Sequence, residues 1–301
     1  MSLKFKTYKW DVPVDTEDFY TDDFVSWIDS INNGWSGRRK DYEPLNLYIK
    51  EAEEWMKDDT DITDIDDIEF KRDFIQREVK RIKRSSLYYL NKYHQMPDGD
   101  EDNGILDYKA HRMHEVISYL YDMKISIVIG KPRQVWASST FGGLIAKRTC
   151  FMPNYSSIYM TDLREKAEKT INEKTYLPYT MLPDYLRPTG KFTDGTFYVG
   201  MRGDKKGDGL NSVVETLAPK DYAATGFAPN CSFMDEIGLN KNFGKVIKEI
   251  EPSMFKFDHA TGKLRRARQM MAWGTGGNMD KGGVAMEEVW RKGKSSWNNK
   301  D

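Results

Sequence analysis

Three separated stretches carry side chains able to work on a phosphate chain. The first, ISIVIGKPRQVWASSTFGGLIA from Ile125 to Ala146, reads as an apolar strand, a short loop and a helix. In a phosphate-binding loop, backbone N–H groups and a helix N-terminus surround the phosphates, a lysine bridges the outer ones, and a Ser or Thr hydroxyl holds magnesium. Ser138 and Ser139 stand at the helix start and fill the hydroxyl role. Where Gly-Lys-Ser/Thr is expected, the chain has Trp136-Ala137-Ser138, so the charge must come from elsewhere. Lys131 stands at the position of the loop's first glycine, from which a cation at the mouth reaches the same phosphates. Arg133 adds a planar fork suited to phosphate oxygens. A surface turn after a buried strand is the plain alternative if no other stretch agrees.

The second stretch, CSFMDEIG, ends an apolar strand in consecutive carboxylates. Two jobs explain the pair: Asp235 on the shell of a magnesium ion and Glu236 polarising the attacking water. A solvated strand end is the competing reading. The third, MMAWGTGG, runs an apolar strand into Gly274-Thr275-Gly276-Gly277, and a small hydroxyl there suits a γ-phosphate sensor, because ligands bind at the carboxyl edge of parallel sheets. Order and spacing after the other two raise it above a simple glycine-rich turn.

The elements that must position these groups follow from periodicity. From Leu106 onward helix and strand patterns alternate: YKAHRMHEVISYLYDM as helix, ISIVIG as strand, SSTFGGLIAKRTCFM as helix, SSIYMT as strand. DLREKAEKTINE reads as a helix capped by Asp162, KFTDGTFYVGM as a hairpin turning at Asp194-Gly195, NCSFMDE as strand, FGKVIKEIE as helix and RQMMAWG as strand. Such alternation predicts an α/β protein with a mainly parallel sheet flanked by helices on both faces.

Residues 1–104 form a helical N-terminal region by their charge and helix-like spacing, and HQMPDGDEDNG marks the boundary before a domain over 105–301. FKRDFIQREVKRIKRSSLYYLNKY places Phe74, Ile75, Val79, Ile82 and Tyr89 on one stripe, opposite Arg77, Lys80, Arg81, Lys83 and Arg84. That basic side is a solvated face or, in the sharper reading, a DNA-facing one. The acidic run from Asp58 to Glu69 fails as a calcium loop because Thr63 stands where the turn demands glycine.

At 301 residues, 39% apolar and 13% aromatic, the chain has ample material for a packed core. Its 46 basic and 47 acidic residues leave a net charge of -1, so any nucleic-acid surface must be a local patch. Cys150 and Cys231 are too few and too far apart for a disulfide framework or a cysteine-rich zinc site; both are expected to be buried thiols in a reducing compartment. No apolar run is long enough for a membrane span, and the charged start lacks a signal peptide's apolar centre, which predicts an intracellular protein.

The motifs, in this order, resemble those of the ATPase domain of the large terminase subunit of tailed bacteriophages. KPRQVWASS resembles that family's Walker A, SFMDE its Walker B and WGTGG its coupling motif, within a match over residues 85–285. The fold implied is a P-loop NTPase of the ASCE/RecA-like kind. By position, the resemblance implies that Lys131, Pro132, Arg133, Gln134, Val135, Trp136, Ala137, Ser138 and Ser139 surround the phosphates of ATP, with Lys131 and Arg133 also catalytic. Asp235 and Ser138 would hold Mg2+, Glu236 would activate water, and Gly274, Thr275 and Gly276 would couple hydrolysis to movement. Tyr108 and His111 stand where the family contacts adenine; His111 and His114 share a helical face but lack a third ligand for a metal site. Thr225-Gly226 replaces the family's Arg-Gly, which leaves Arg202 as the candidate arginine offered to a neighbouring subunit. The implied function is a motor that hydrolyses ATP to drive double-stranded DNA into a capsid in the cytoplasm of an infected bacterium. Its partners would be portal, small terminase subunit and further copies of itself in a ring, with no membrane. The family's nuclease domain is not expected in this chain. The alternatives are another ASCE-class DNA translocase or helicase, and a degenerate P-loop fold that binds DNA or a capsid partner without turnover.

Overall fold

The computed structural model describes residues 4–7, 22–32, 41–63, 65–97, 104–131, 135–200, 209–218, 228–259, 262–275 and 282–289. Twelve strands are described: β1 (Lys4–Thr7), β2 (Gln95–Pro97), β3 (Ile105–Asp107), β4 (Ile127–Gly130), β5 (Ser156–Met160), β6 (Gly190–Thr193), β7 (Thr196–Val199), β8 (Ser212–Leu217), β9 (Cys231–Met234), β10 (Phe255–Asp258), β11 (Lys263–Arg266) and β12 (Gln269–Gly274). The α-helices are α1 (Asp22–Asn32), α2 (Glu43–Met56), α3 (Ile68–Arg84), α4 (Ser86–Tyr93), α5 (Arg112–Asp122), α6 (Ala137–Phe151), α7 (Arg164–Ile171), α8 (Leu177–Thr180) and α9 (Phe243–Ile250).

Eight strands form one sheet in the order β1-β4-β12-β9-β5-β8-β7-β6. Its centre, β4 to β8, is parallel, as the alternation of elements predicts. Antiparallel strands close both edges: β1 against β4, and the β6–β7 hairpin against β8. That hairpin turns at Asp194 (φ 49°) and Gly195 (φ 73°), the two left-handed residues of a type I′ turn. The strand ending at Gly274 lies between the one entering the loop at Lys131 and the one ending just before Asp235, the order of an ASCE/RecA-like P-loop fold.

Alternate side chains of the central strands face opposite layers. Ile127, Ile129, Tyr159, Phe233, Met271 and Trp273 join a large cluster with α4, α5 and α6. Val128, Ile158, Met160, Met234, Met270 and Ala272 join a second cluster with α9. Helix α6 is held closely to the sheet: Phe141 stacks on Trp273 at 3.8 Å between centroids. On its other side Gly142 lies so near the backbone of Lys174 that a Cβ would fall 2.2 Å from that carbonyl oxygen.

The N-terminal region differs from expectation in two ways. It contributes a strand, β1, to the main sheet, and the core cluster runs without a break from Phe24 to Trp273. The long basic helix is two helices, because Ser85 leaves helical space (φ -126°, ψ 118°) and its hydroxyl accepts from the N–H of Tyr88. Its polar side is a solvated face, as the plainer reading expects, with Arg77, Lys80, Lys83 and Arg84 exposed; Arg77 and Arg81 meet Asp58 at 3.1 and 2.8 Å, and Arg84 meets Glu51 at 2.8 Å. The acidic run thus ties α3 down, and Asp67 caps it by accepting from the N–H of Phe70 at 3.0 Å. Glu78, fully buried on α3, accepts from the hydroxyls of Tyr88 and Tyr93 and pairs with Arg81 at 2.6 Å.

Two local expectations also change. Asp162 does not cap α7; the N-cap is Leu163, the N–H of Leu163 goes to Thr161 Oγ1, and Asp162 pairs with Lys166 at 2.7 Å. Strand β8, which the alternation of patterns did not reveal, pairs with β5. Cys150 and Cys231 are buried as expected.

Candidate functional site at the carboxyl edge of the sheet

Register alone brings the three stretches together. Gly130 lies level with Gly274, and Met234 with both Ala272 and Met160, so Lys131, Thr275, Asp235 and Glu236 all emerge at the same carboxyl edge. The amide of Lys131 donates to the carbonyl of Gly274 at 3.0 Å, extending the pairing one residue past the strands.

Asp235 is 6% exposed and both its carboxylate oxygens are engaged. Oδ2 accepts from Ser138 Oγ at 2.8 Å and from the Tyr159 hydroxyl at 3.0 Å, while Oδ1 accepts from the N–H of Glu236 at 2.7 Å. Burial pushes its pKa up, opposed in part by the Ser138 hydroxyl and the Lys131 ammonium. A buried carboxylate beside a serine hydroxyl is a hard-oxygen pair short of positive charge, which fits a small divalent cation such as magnesium.

Glu236 sits in left-handed backbone space (φ 49°, ψ 40°), unusual for glutamate and the kind of strain that collects at working sites. Its Oε1 lies 3.9 Å from Lys131 Nζ, and its Oε2 accepts from the Thr275 hydroxyl at 3.2 Å. The Lys131 side chain is 8% exposed and that of Glu236 32%, so the lysine lies under the lip and the carboxylate at it. Asp235 and Glu236 are therefore differentiated: one is enclosed on a serine, the other accessible and tethered to the residue expected to couple.

Trp136, where the loop expects glycine, retains the glycine-like conformation with φ 53° and ψ 18°. The left-handed backbone costs a tryptophan about 1 kcal/mol more than a glycine. The residue is 43% exposed and its ring leans toward His111 and Tyr108, at 6.3 and 6.5 Å between centroids. Ala137 is buried at the first position of α6. Tyr108 takes a different station from the base contact expected of it: it is fully buried and bonds Thr140 Oγ1 at 2.6 Å. Thr140 in turn donates to the Trp136 carbonyl at 3.0 Å, so the tyrosine braces the loop from below. His111 is exposed beside Trp136. Pro132, Arg133, Gln134, Arg202, Thr225, Gly226 and Gly276 lie outside the described residues.

Two buried histidines complete the support. The Nε2 of His114 faces the Val135 carbonyl at 3.1 Å and its Nδ1 accepts from the N–H of His111 at 3.0 Å. A carbonyl only accepts, so the proton is on Nε2, and both nitrogens are engaged by backbone rather than available to a metal. The Nε2 of His94 likewise meets the Ser139 carbonyl at 3.2 Å. Burial lowers both histidines to about 4. Unfolded histidines take up protons near pH 6.5, whereas these resist until about 4, so stability is expected to fall as pH drops from about 6.5 toward 4. The slope approaches about 1.4 kcal/mol per pH unit for each histidine. Denaturant titrations at pH 7, 6 and 5 check this, and substituting either histidine by glutamine should flatten the slope.

Tyr159, Thr140 and His114 hydrogen-bond to groups of the candidate site, which the motifs did not reveal. Tyr159 carries no local signal, because only the pairing of β5 with β9 brings it beside Asp235. For His114 the signal was its place three residues after His111, at the start of a helix.

Fold and edge together define a P-loop NTPase fold. Among solved structures, the chain is similar to the HK97 bacteriophage large terminase, with a TM-score of 0.52 at 11% identity over 73% of this chain and 42% of that one. It therefore spans less than half the length of that protein. The large terminase ATPase domain of Thermus phage P74-26 also matches, at 12% identity and a TM-score of 0.37, over 57% of this chain and 67% of that one. No family model and no curated protein matches the sequence. Among the described residues, no helix is long and apolar enough to cross a membrane.

Proposed function

We propose that the chain is a magnesium-dependent ATP hydrolase serving as the motor of a terminase-like machine that drives double-stranded DNA into a capsid. The observation that carries this reading is the meeting of Lys131, Ser138, Asp235, Glu236 and Thr275 at one sheet edge. Ser138 and Asp235 would hold magnesium, which when bound neutralises charge on the outer phosphate oxygens. Lys131, now facing Glu236, would turn its ammonium to the phosphates, with Arg133 as a second cation. Released from that pair, Glu236 orients a water and takes its proton as the water oxygen bonds to the γ-phosphorus and the bond to the β–γ bridging oxygen breaks. Thr275 donates to the same carboxylate, so a change at Glu236 reaches β12 directly. Val135, Trp136, Ala137 and Ser139 contribute loop backbone, and His111 with Trp136 forms the aromatic side nearest a base.

In this reading, portal, small terminase subunit and further copies of the chain are the partners in the host cytoplasm. An arginine from a neighbouring copy, with Arg202 as candidate, raises turnover in the ring. Phosphate release from ATP is expected to be slow for the isolated chain, to stop with EDTA and to rise with chain concentration. Nucleotide binding without magnesium-dependent release at any concentration would instead support the second reading, a nucleotide-binding shell without turnover. The buried Ala137, where the loop's usual lysine is missing, favours that alternative.

A further inference from the structure

The opposite edge of the sheet carries a second concentration of charge. Where the central strands begin, a pocket of about 250 Å³ lies between the ends of α3, α5 and α6 and the segments that start β9 and β12. Lys83, Arg84, Lys124, Lys147, Arg148 and Arg268 line it, against a single carboxylate, Asp122. That carboxylate is already saturated: its oxygens accept from Lys147 Nζ at 2.8 Å, from Ser86 Oγ and N at 2.6 Å, and from the Tyr48 hydroxyl at 2.7 Å. Arg84 pairs outward with Glu51 at 2.8 Å. Lys83, Lys124, Arg148 and Arg268 have no carboxylate within ion-pair distance among the described residues.

The floor is built rather than incidental. Lys147 is 1% exposed and fixed by Asp122 and Ser86. Arg148 sits over the Tyr121 ring at 3.9 Å, donates to the Tyr121 carbonyl at 2.7 Å and reaches Gln269 Oε1 at 3.5 Å, which fixes its guanidinium at the pocket floor. Helix C-termini favour cations, which accounts for Lys83, Arg84, Arg148 and for Lys124 just past the end of α5, but not for Arg268, which stands in a loop. Lys124 holds φ 55° just after α5, with the N–H of Ile125 reaching back to the Leu120 carbonyl at 2.9 Å. This is the helix-ending position that glycine occupies most readily, so a lysine stands where a residue without a side chain fits with less strain.

We propose that this pocket is an anion site that binds a phosphate group, supplied either by a compact free oligophosphate or by a nucleic-acid backbone crossing its mouth. Several unneutralised cations, two of them guanidinium forks, match a tetrahedral anion of more than one charge better than a carboxylate. The volume is below that of pockets enclosing drug-sized ligands, which suits a ligand as small as a mono- or diphosphate. The site is separate from the hydrolase reading, since it occupies the other end of the strands.

The test titrates the whole chain with pyrophosphate and, separately, with a short fluorescent DNA duplex over a range of salt. Lys124→Gly is expected to raise the melting temperature, because the left-handed turn is relieved, yet to weaken binding about fivefold. Arg268→Gln should weaken it similarly without stabilising, and Lys169→Gln, an exposed lysine on α7, should do neither. If pyrophosphate binding falls in both pocket variants, the free anion is the ligand. If only the duplex responds, with its log-log salt slope reduced by about one per cation removed, the backbone is the ligand. In a Lys131→Ala background, which removes the cation of the other phosphate site, the two pocket variants are expected to lose the same affinity, which keeps the result distinct from the fate of the ATPase. Unaltered affinity for both probes in both pocket variants overturns the proposal.

Discussion

Glu236→Gln is expected to lower ATP turnover by about 10²–10⁴-fold while leaving ATP affinity within about twofold. The amide has the same shape, so the Thr275 hydroxyl retains its acceptor and the left-handed backbone is no more strained than before. What disappears is the ability to take a proton from water. The neighbouring carboxylate cannot substitute, because Asp235 is enclosed by Ser138, Tyr159 and the amide of Glu236. Single-turnover phosphate release beside nucleotide titration separates the two quantities, and a variant that still turns over within a few-fold of the parent means that the base is another group.

Lys131→Ala is expected to cut kcat/KM by about 10²–10³-fold, the effect of removing one preorganised charge from a phosphoryl-transfer site. The loss should appear in both nucleotide affinity and turnover, since a cation on the outer phosphates acts before and during bond breaking. The 3.9 Å pair with Glu236 shows that the ammonium reaches the edge where both acids stand, despite entering the loop at its mouth. Lys131→Arg retains charge in a bulkier fork and should recover part of the affinity. Nucleotide binding that is indifferent to the alanine variant would shift the essential charge to Arg133 or to a neighbouring copy. No large loss of stability should accompany the change, because Lys131 follows β4 rather than packing within it.

How much was legible in the sequence depended on how local each feature is. The buried strands at Ile127–Gly130, Cys231–Met234 and Gln269–Gly274 are apolar runs bounded by turn residues, and the Asp194-Gly195 hairpin needs only two residues that tolerate positive φ. Strand β8 was missed because its Ser, Glu and Thr dilute an apolar run that the pairing with β5 still buries. The break at Ser85 was missed because Ser85 and Ser86 lie within a continuous helical pattern, and the capping bond to Tyr88 matters only once Tyr88 is committed to the core. Trp136 illustrates the limit from the other side. Residue type sets a bulky indole where the loop expects glycine, and only the structure shows that the position keeps a left-handed backbone with the ring exposed.

By itself, the order of residues determined the α/β class, the parallel alternation and the three motif segments, because strand, helix and turn preferences are set within a few positions along the chain. Only the tertiary structure decided that Lys131 faces Glu236, that Tyr159 and Ser138 share Asp235, and that six cations gather at the far edge. Those meetings depend on strand register and on which helix ends share a corner, quantities summed over residues far apart in the chain and invisible to any local pattern.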